Sequence, residues 1–274
     1  MSIKTILVLA DGGPGGDATL ATAITVARGF AAHLDVLHVR ADPETMVPIV
    51  GEGMSGAMVE QVMEAMARAV ETRAAAARTA YERLCAPSGL SLAWREVTGR
   101  EPEIVALSGR VADLTVLSRP SGESEAPLAA TLDAALFETG RPALVVPAPA
   151  LPAVGSRIVL AWDGSVQAAR AVGAALPFLR LAQQVTVATA GEADRRVPAE
   201  ALLAYLARHE VRAQSESFAS AAGVGKGLVE QAARLRADLL VMGAYGHSRL
   251  REMILGGATR EVLAGAGIPV LMGH

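Results

Sequence analysis

Short, nearly unbroken apolar runs alternate along this chain with longer alanine-rich stretches of mixed polarity. The runs Ile6-Leu7-Val8-Leu9-Ala10, Leu34-Asp35-Val36-Leu37-His38-Val39, Leu114-Thr115-Val116-Leu117 and Ala143-Leu144-Val145-Val146 have strand length, and the stretches between them have helix length. Such runs predict strands buried on both faces, the pattern of a parallel sheet sandwiched between helices. The order then repeats. Ile158-Val159-Leu160-Ala161-Trp162 matches the first run, Val185 to Ala190 the second, Leu239-Leu240-Val241-Met242 the third and Val270-Leu271-Met272 the fourth. Asp-Gly follows the first run in both halves, as Asp11-Gly12 and Asp163-Gly164, and Ala-Asp-Leu opens the third in both, at Ala112 and Ala237. The pattern predicts an α/β protein of two tandem, doubly wound parallel-sheet domains related by a pseudo-two-fold axis, with the last strand of each as the contact edge.

Pro147, Pro149 and Pro152 crowd the segment between the repeats, which forbids regular helix and favours an extended connector. The domains are therefore expected at 1–148 and 156–274. The halves differ most over Met54 to Cys85, a long helical stretch in the first half alone. Its Met54, Met58, Val62, Met66 and Val70 recur at four-residue steps, a stripe expected to pack as helix core, with a methionine-lined groove as the alternative. The loop from Asp42 to Gly53 before it is expected to be mobile.

Composition narrows the setting. With 274 residues, 51% of them hydrophobic, the chain can bury a core in each half. A formal charge of −3 supplies no field to draw it onto nucleic acid. One cysteine, Cys85, permits no internal disulfide and suits a reducing compartment, and no run reaches the length of a membrane span. The expected location is the cytoplasm. The histidines His33, His38, His209, His247 and His274 show no metal-ligand spacing, so no metal site is expected.

The candidate chemistry lies near the C-terminus. Directly after Leu239-Leu240-Val241-Met242 the chain reads Gly243-Ala244-Tyr245-Gly246, and nine residues later Gly256-Gly257-Ala258-Thr259. Glycines between a strand and a helix let the backbone approach a ligand, and the free N–H groups of the helix start attract an anion. This spacing, together with the two Asp-Gly and the two Ala-Asp-Leu repeats, resembles the universal stress protein family in its two-domain form, over nearly the whole chain. The resemblance implies an adenine nucleotide in the second domain. Asp163 would face the nucleoside and Ala190 the adenine, while Gly243, Gly246, Gly256, Gly257, Ala258 and Thr259 would cradle the phosphates, with His247 beside them. Where the family has Ser or Thr, this chain has Gly257, so one phosphate donor is lost and ATP, ADP and AMP, with or without Mg²⁺, all remain open.

On chemistry alone, Asp163 at a strand's carboxyl end suits ribose hydroxyls, and an Asx-turn or N-cap role suits it too. His247 is read either as a phosphate contact or as an exposed side chain. The first half departs further: Ser118-Arg119-Pro120-Ser121-Gly122-Glu123-Ser124 replaces the glycine loop, so nucleotide binding there is not expected, and a solvated loop is preferred to an anion site. Gly223-Val224-Gly225-Lys226-Gly227 lacks the upstream glycine and the Ser or Thr of a P-loop and reads as a turn into a helix. No arrangement of nucleophile, base and acid marks an enzyme. The expectation is an adenine-nucleotide-binding stress-response or regulatory protein with an unidentified protein partner, monomeric or homodimeric. The alternatives are a slow ATPase, or a scaffold that takes a lipid or another small molecule in its first domain.

Overall fold

The computed structural model describes residues 2–42, 56–120, 126–191, 197–219, 221, 223–244 and 257–274. In the first half the elements run β1 (Thr5–Leu9), α1 (Gly16–Phe30), β2 (His33–Arg40), α2 (Gly56–Ala80), β3 (Leu92–Thr98), α3 (Glu101–Gly109), β4 (Leu114–Ser118), α4 (Ala126–Phe137) and β5 (Ala143–Val146). In the second half come β6 (Arg157–Ala161), α5 (Val166–Leu181), β7 (Gln184–Ala190), α6 (Ala199–Arg208), β8 (Gln214–Phe218), α7 (Val224–Arg234), β9 (Leu239–Gly243), α8 (Gly257–Gly265) and β10 (Val270–Gly273).

All the strands join one ten-stranded sheet in the order β3-β2-β1-β4-β5-β10-β9-β6-β7-β8. Pairing is parallel within each half and antiparallel only at the centre, where Val270, Leu271 and Met272 face Val145, Leu144 and Ala143. The last strands are thus the contact edges, and the pseudo-two-fold relation follows from their antiparallel register.

The unbroken apolar runs reflect burial on both faces. Alternate residues of β1 serve opposite layers: Ile6 and Val8 face the side of α1 and α5, and Leu7 and Leu9 face the side of α3, α4 and α7. Helices also meet across the seam. Phe30 of α1 and Phe178 of α5 stack edge to face at 4.9 Å on one side of the sheet, and Phe137 after β4 meets His274 at 4.4 Å on the other.

Two strands, β3 and β8, had no apolar run to announce them. They are the outer edges of the sheet, half-exposed, and β8 is Gln-Ser-Glu-Ser-Phe. An edge strand packs on fewer neighbours and tolerates polar side chains.

The methionine stripe is not helix core. Met58 is exposed, and Val62, Met66 and Val70 are only half-buried; the first residues of α2 to reach the core are Ala74 and Ala77. The N-terminal part of α2 therefore overhangs the ends of the strands, and only its C-terminal turns lie on the sheet. Met54 and, apart from Asp42, the loop expected at 42–53 fall outside the described residues.

Candidate functional site

Each half has a cavity at the carboxyl ends of its first two strands, where open α/β sheets bind ligands. In the second half it measures about 270 Å³, close to the lower end of the range for small-molecule sites. Ala161, Ala188, Phe218, Leu228 and Met242 form an apolar slot, and Asp163, Ser165, Gln167, Gly243 and Ala258 lie around it. Asp163 is the single charged side chain among the lining residues.

The Asp-Gly repeat makes the same turn in both halves. Asp163 Oδ1 accepts from the Ser165 N–H at 2.9 Å, and Asp11 Oδ1 accepts from the Gly13 N–H at 2.7 Å. The following glycines lie in the left-handed region, Gly164 at φ +75° and Gly12 at φ +68°, where a side chain is strained. Asp163 therefore does fill the Asx-turn role. Its Oδ2 has no hydrogen-bond partner among the described residues and is exposed to the cavity mouth. Ser165 caps α5, its hydroxyl accepting from the Ala168 N–H at 3.1 Å, while Trp162 donates to the Val197 carbonyl at 3.0 Å and closes the side wall.

Of the residues expected at a nucleotide, Asp163, Ala190, Gly243 and Ala258 line this cavity together. Gly257 opens α8 beside them, with none of the described residues within 4 Å of the place its Cβ would take. Thr259, in the same first turn, is 4% exposed and turned into the protein rather than toward the cavity. Gly246, His247 and Gly256 fall outside the described residues. Gly243 needs its small size for packing: a Cβ there would stand 2.6 Å from the Ala168 nitrogen of α5. The aromatic and aliphatic floor, Phe218, Leu228 and Met242, was missed in sequence because those positions are indistinguishable from ordinary core.

The P-loop-like segment is a turn into α7, with Gly223 as its N-cap at φ +113°. Its free N–H groups are already occupied by the protein's own carboxylate: Glu261 of α8 accepts from Gly225 at 2.9 Å and Lys226 at 3.2 Å. In the first half, the segment that replaces the glycine loop is also spoken for. Ser118 is buried and meets the Thr19 hydroxyl at 2.8 Å, and Arg119 donates to the Ala266 carbonyl of the other half. The expected solvated loop is therefore a packed, seam-bridging segment at those two residues, while Ser121 and Ser124 fall outside the described residues.

Among the described residues no helix is long and apolar enough to cross a membrane, and no cluster of three or more His, Cys, Asp or Glu is placed to hold a metal ion.

A mostly parallel sheet wrapped on both faces, doubled through its last strands and cupping a slot at the carboxyl ends, defines a tandem doubly wound α/β protein. Residues 156–274 match the sequence pattern of the universal stress protein family. The second half thus carries that family's pattern, and the architecture of the whole chain fits a two-unit member. A stretch of 34 residues is 56% identical to a universal stress protein of Synechocystis sp., spanning 12% of this chain and 12% of that protein. Over 99% of its length the chain shares the fold of a universal stress protein from Archaeoglobus fulgidus, with 96% of that chain covered, a TM-score of 0.70 and 14% identity. A universal stress protein solved in complex with cAMP matches 43% of this chain over 97% of its own length, at 24% identity and a TM-score of 0.33.

Proposed function

We propose that the second half binds one adenine nucleotide in its 270 Å³ cavity, and that the chain acts as a nucleotide-binding stress-response or regulatory protein. The observation that carries this reading is the convergence on one cavity of three chemically different walls. The apolar slot of Ala188, Phe218, Leu228 and Met242 suits a flat base. Asp163, with an unpaired carboxylate oxygen at the mouth, suits ribose hydroxyls. The start of α8 at Gly257 and Ala258 offers backbone N–H groups to phosphate. The cation that accompanies ATP finds Asp163 as the one carboxylate among the lining residues, so the phosphates themselves would carry it. On this reading the chain divides into units 1–148 and 156–274, and the first does not share the ligand, because Arg119 and Pro120 stand where the glycine loop would be.

Calorimetric titration of the full chain with ATP and with AMP tests this directly. One equivalent is expected to bind, and Ala190→Trp, which fills the slot, is expected to abolish binding without lowering the melting temperature. Saturation at two equivalents, or undiminished binding by the filled variant, would refute the assignment.

A further inference from the structure

The first half has the larger cavity, about 430 Å³, at the carboxyl ends of β1 and β2 beneath the overhanging part of α2. It shares Asp11 with the other site, as the counterpart of Asp163, but its remaining polar groups differ. His38 corresponds to Thr189, and α2 is 25 residues long where α6 is 10.

His38 is 3% exposed and lines this cavity. Its Nδ1 lies 2.7 Å from the Ala10 carbonyl, which can only accept, so Nδ1 carries the proton and Nε2 of the neutral ring is a bare acceptor. That Nε2 is buried and has no partner among the described residues. Buried polar atoms without a partner are rare, and this one is placed to receive a donor from a ligand.

Three arginines line the same cavity, and two are committed: Arg40 to Glu71 and Glu96, Arg100 to Glu103. Arg73 of α2 has no hydrogen bond or ion pair among the described residues and lies exposed at the mouth. Asp11, 7% exposed, lines the same cavity, and its Oδ2 has no hydrogen-bond partner among the described residues. Asp11 Oδ1 and Arg73 Nη2 lie 3.3 Å and 3.6 Å from one point, where a Cβ on Gly13 would stand. The Arg73 guanidinium, the Asp11 carboxylate and the buried imidazole acceptor thus line one cavity, with the Glu101 carboxyl near enough for Arg73 to act on it through space. Met66, Ala69 and Val70 supply an apolar wall beside them.

We propose that this cavity binds a small ammonium carboxylate, an α-amino acid with an apolar side chain. The ligand's carboxylate pairs with Arg73, a geometry guanidinium favours. Its ammonium donates to Asp11 Oδ2 and His38 Nε2, and its side chain lies on Met66 and Val70. A phosphate, with no positive group to offset its charge, is disfavoured relative to a net-neutral zwitterion, since Asp11, Asp42 and Glu101 line the same space.

The probe is L-leucine, titrated into the full chain with and without saturating ATP. The controls are 3-methylbutan-1-amine, which lacks the carboxylate, and 4-methylpentanoate, which lacks the ammonium. Leucine is expected to bind at one equivalent in both conditions, about tenfold or more tighter than either control, and Arg73→Met is expected to weaken it by about tenfold while ATP binding stays unchanged. Arg73 is exposed, so this variant folds; a melting curve checks it. No leucine binding, equal binding of either control, or an Arg73→Met variant that binds as wild type overturns the proposal. Leucine binding abolished by ATP overturns it as well, by placing leucine in the second half. Failure of ATP to bind while leucine does would remove only the nucleotide reading.

Discussion

Asp113 and Asp238 perform the same task in the two halves: each carboxylate holds the start of the strand that opens its own half. Asp113 Oδ2 accepts from the Lys4 and Thr5 N–H groups at 2.7 and 3.0 Å. The Asp238 carboxylate accepts from Gly155, Ser156 and Arg157 at 2.9, 3.2 and 3.0 Å. The repeated Ala-Asp-Leu is thus a clamp between the first and fourth strands of each unit. Asp238→Asn keeps the shape but replaces an ionised acceptor of three N–H groups with a neutral one, and is expected to cost about 2–4 kcal/mol of stability. Urea unfolding of the full chain measures it; an unchanged midpoint would show that the clamp is redundant.

Gly243→Ala is expected to destabilise the fold by about 1–3 kcal/mol even without ligand, because the new methyl group meets the backbone of α5 at the end of β9. Thermal melting of the ligand-free variant is the check. A normal melting temperature with lost nucleotide binding would mean that this glycine serves the ligand instead.

Gly257→Ser is the complementary case. No atom of the described residues lies within 4 Å of the added Cβ, and Gly257 is not among the residues of positive φ, so the substitution fits. A hydroxyl at the helix start adds a charge-assisted hydrogen bond to a terminal phosphate. ATP affinity is expected to rise by about tenfold, or about 1.4 kcal/mol, with AMP affinity little changed. Equal gains for both nucleotides would show that the terminal phosphate lies elsewhere.

Glu101, in the first turn of α3, has its carboxyl pKa raised by burial, partly offset by the hydrogen bond that the Thr131 hydroxyl donates at 2.7 Å. The folded state therefore holds this proton more tightly than the unfolded state. Its contribution favours folding below the ordinary glutamate range and is lost as pH rises through that range to the raised value. Glu101→Gln keeps an acceptor for Thr131 and removes the charge. The variant is expected to melt above wild type at neutral pH, with the difference vanishing on acidification toward about pH 4. A difference independent of pH would rule this cause out.

Cys85 is fully buried in the π-helical turn Tyr81–Cys85 that follows α2, and desolvation lifts its thiol to about 11. The native chain is expected to resist iodoacetamide at about pH 8 and to take up one equivalent when unfolded. Rapid labelling of the folded protein would show that the α2 end opens readily.

The core strands were legible in the sequence because burial on both faces leaves an unbroken apolar run, and the repeat was legible because Asp-Gly and Ala-Asp-Leu each meet a backbone requirement. β3 and β8 were not, since an edge strand such as Gln214–Phe218 carries no such run. Asp163, Ala190, Gly243 and Ala258 were foreseen at one cavity by family resemblance. Phe218 and Met242 were not, because a slot floor and a packed core draw on the same side chains. The overhang of α2 was hidden for the opposite reason. Met58, Val62, Met66 and Val70 have core periodicity, but what such a stripe packs against depends on where the helix lies over the sheet.

The antiparallel meeting of β5 and β10 turns the strands of one half head to tail against those of the other. The rim that carries the carboxyl ends of the first half is therefore the rim that carries the amino ends of the second, which is why Arg119, just past β4, reaches Ala266, just before β10. The two cavities open from opposite margins of a continuous slab. A macromolecule resting on one margin senses only one of them, and word of the other must arrive as a shift of strands through the middle of the molecule.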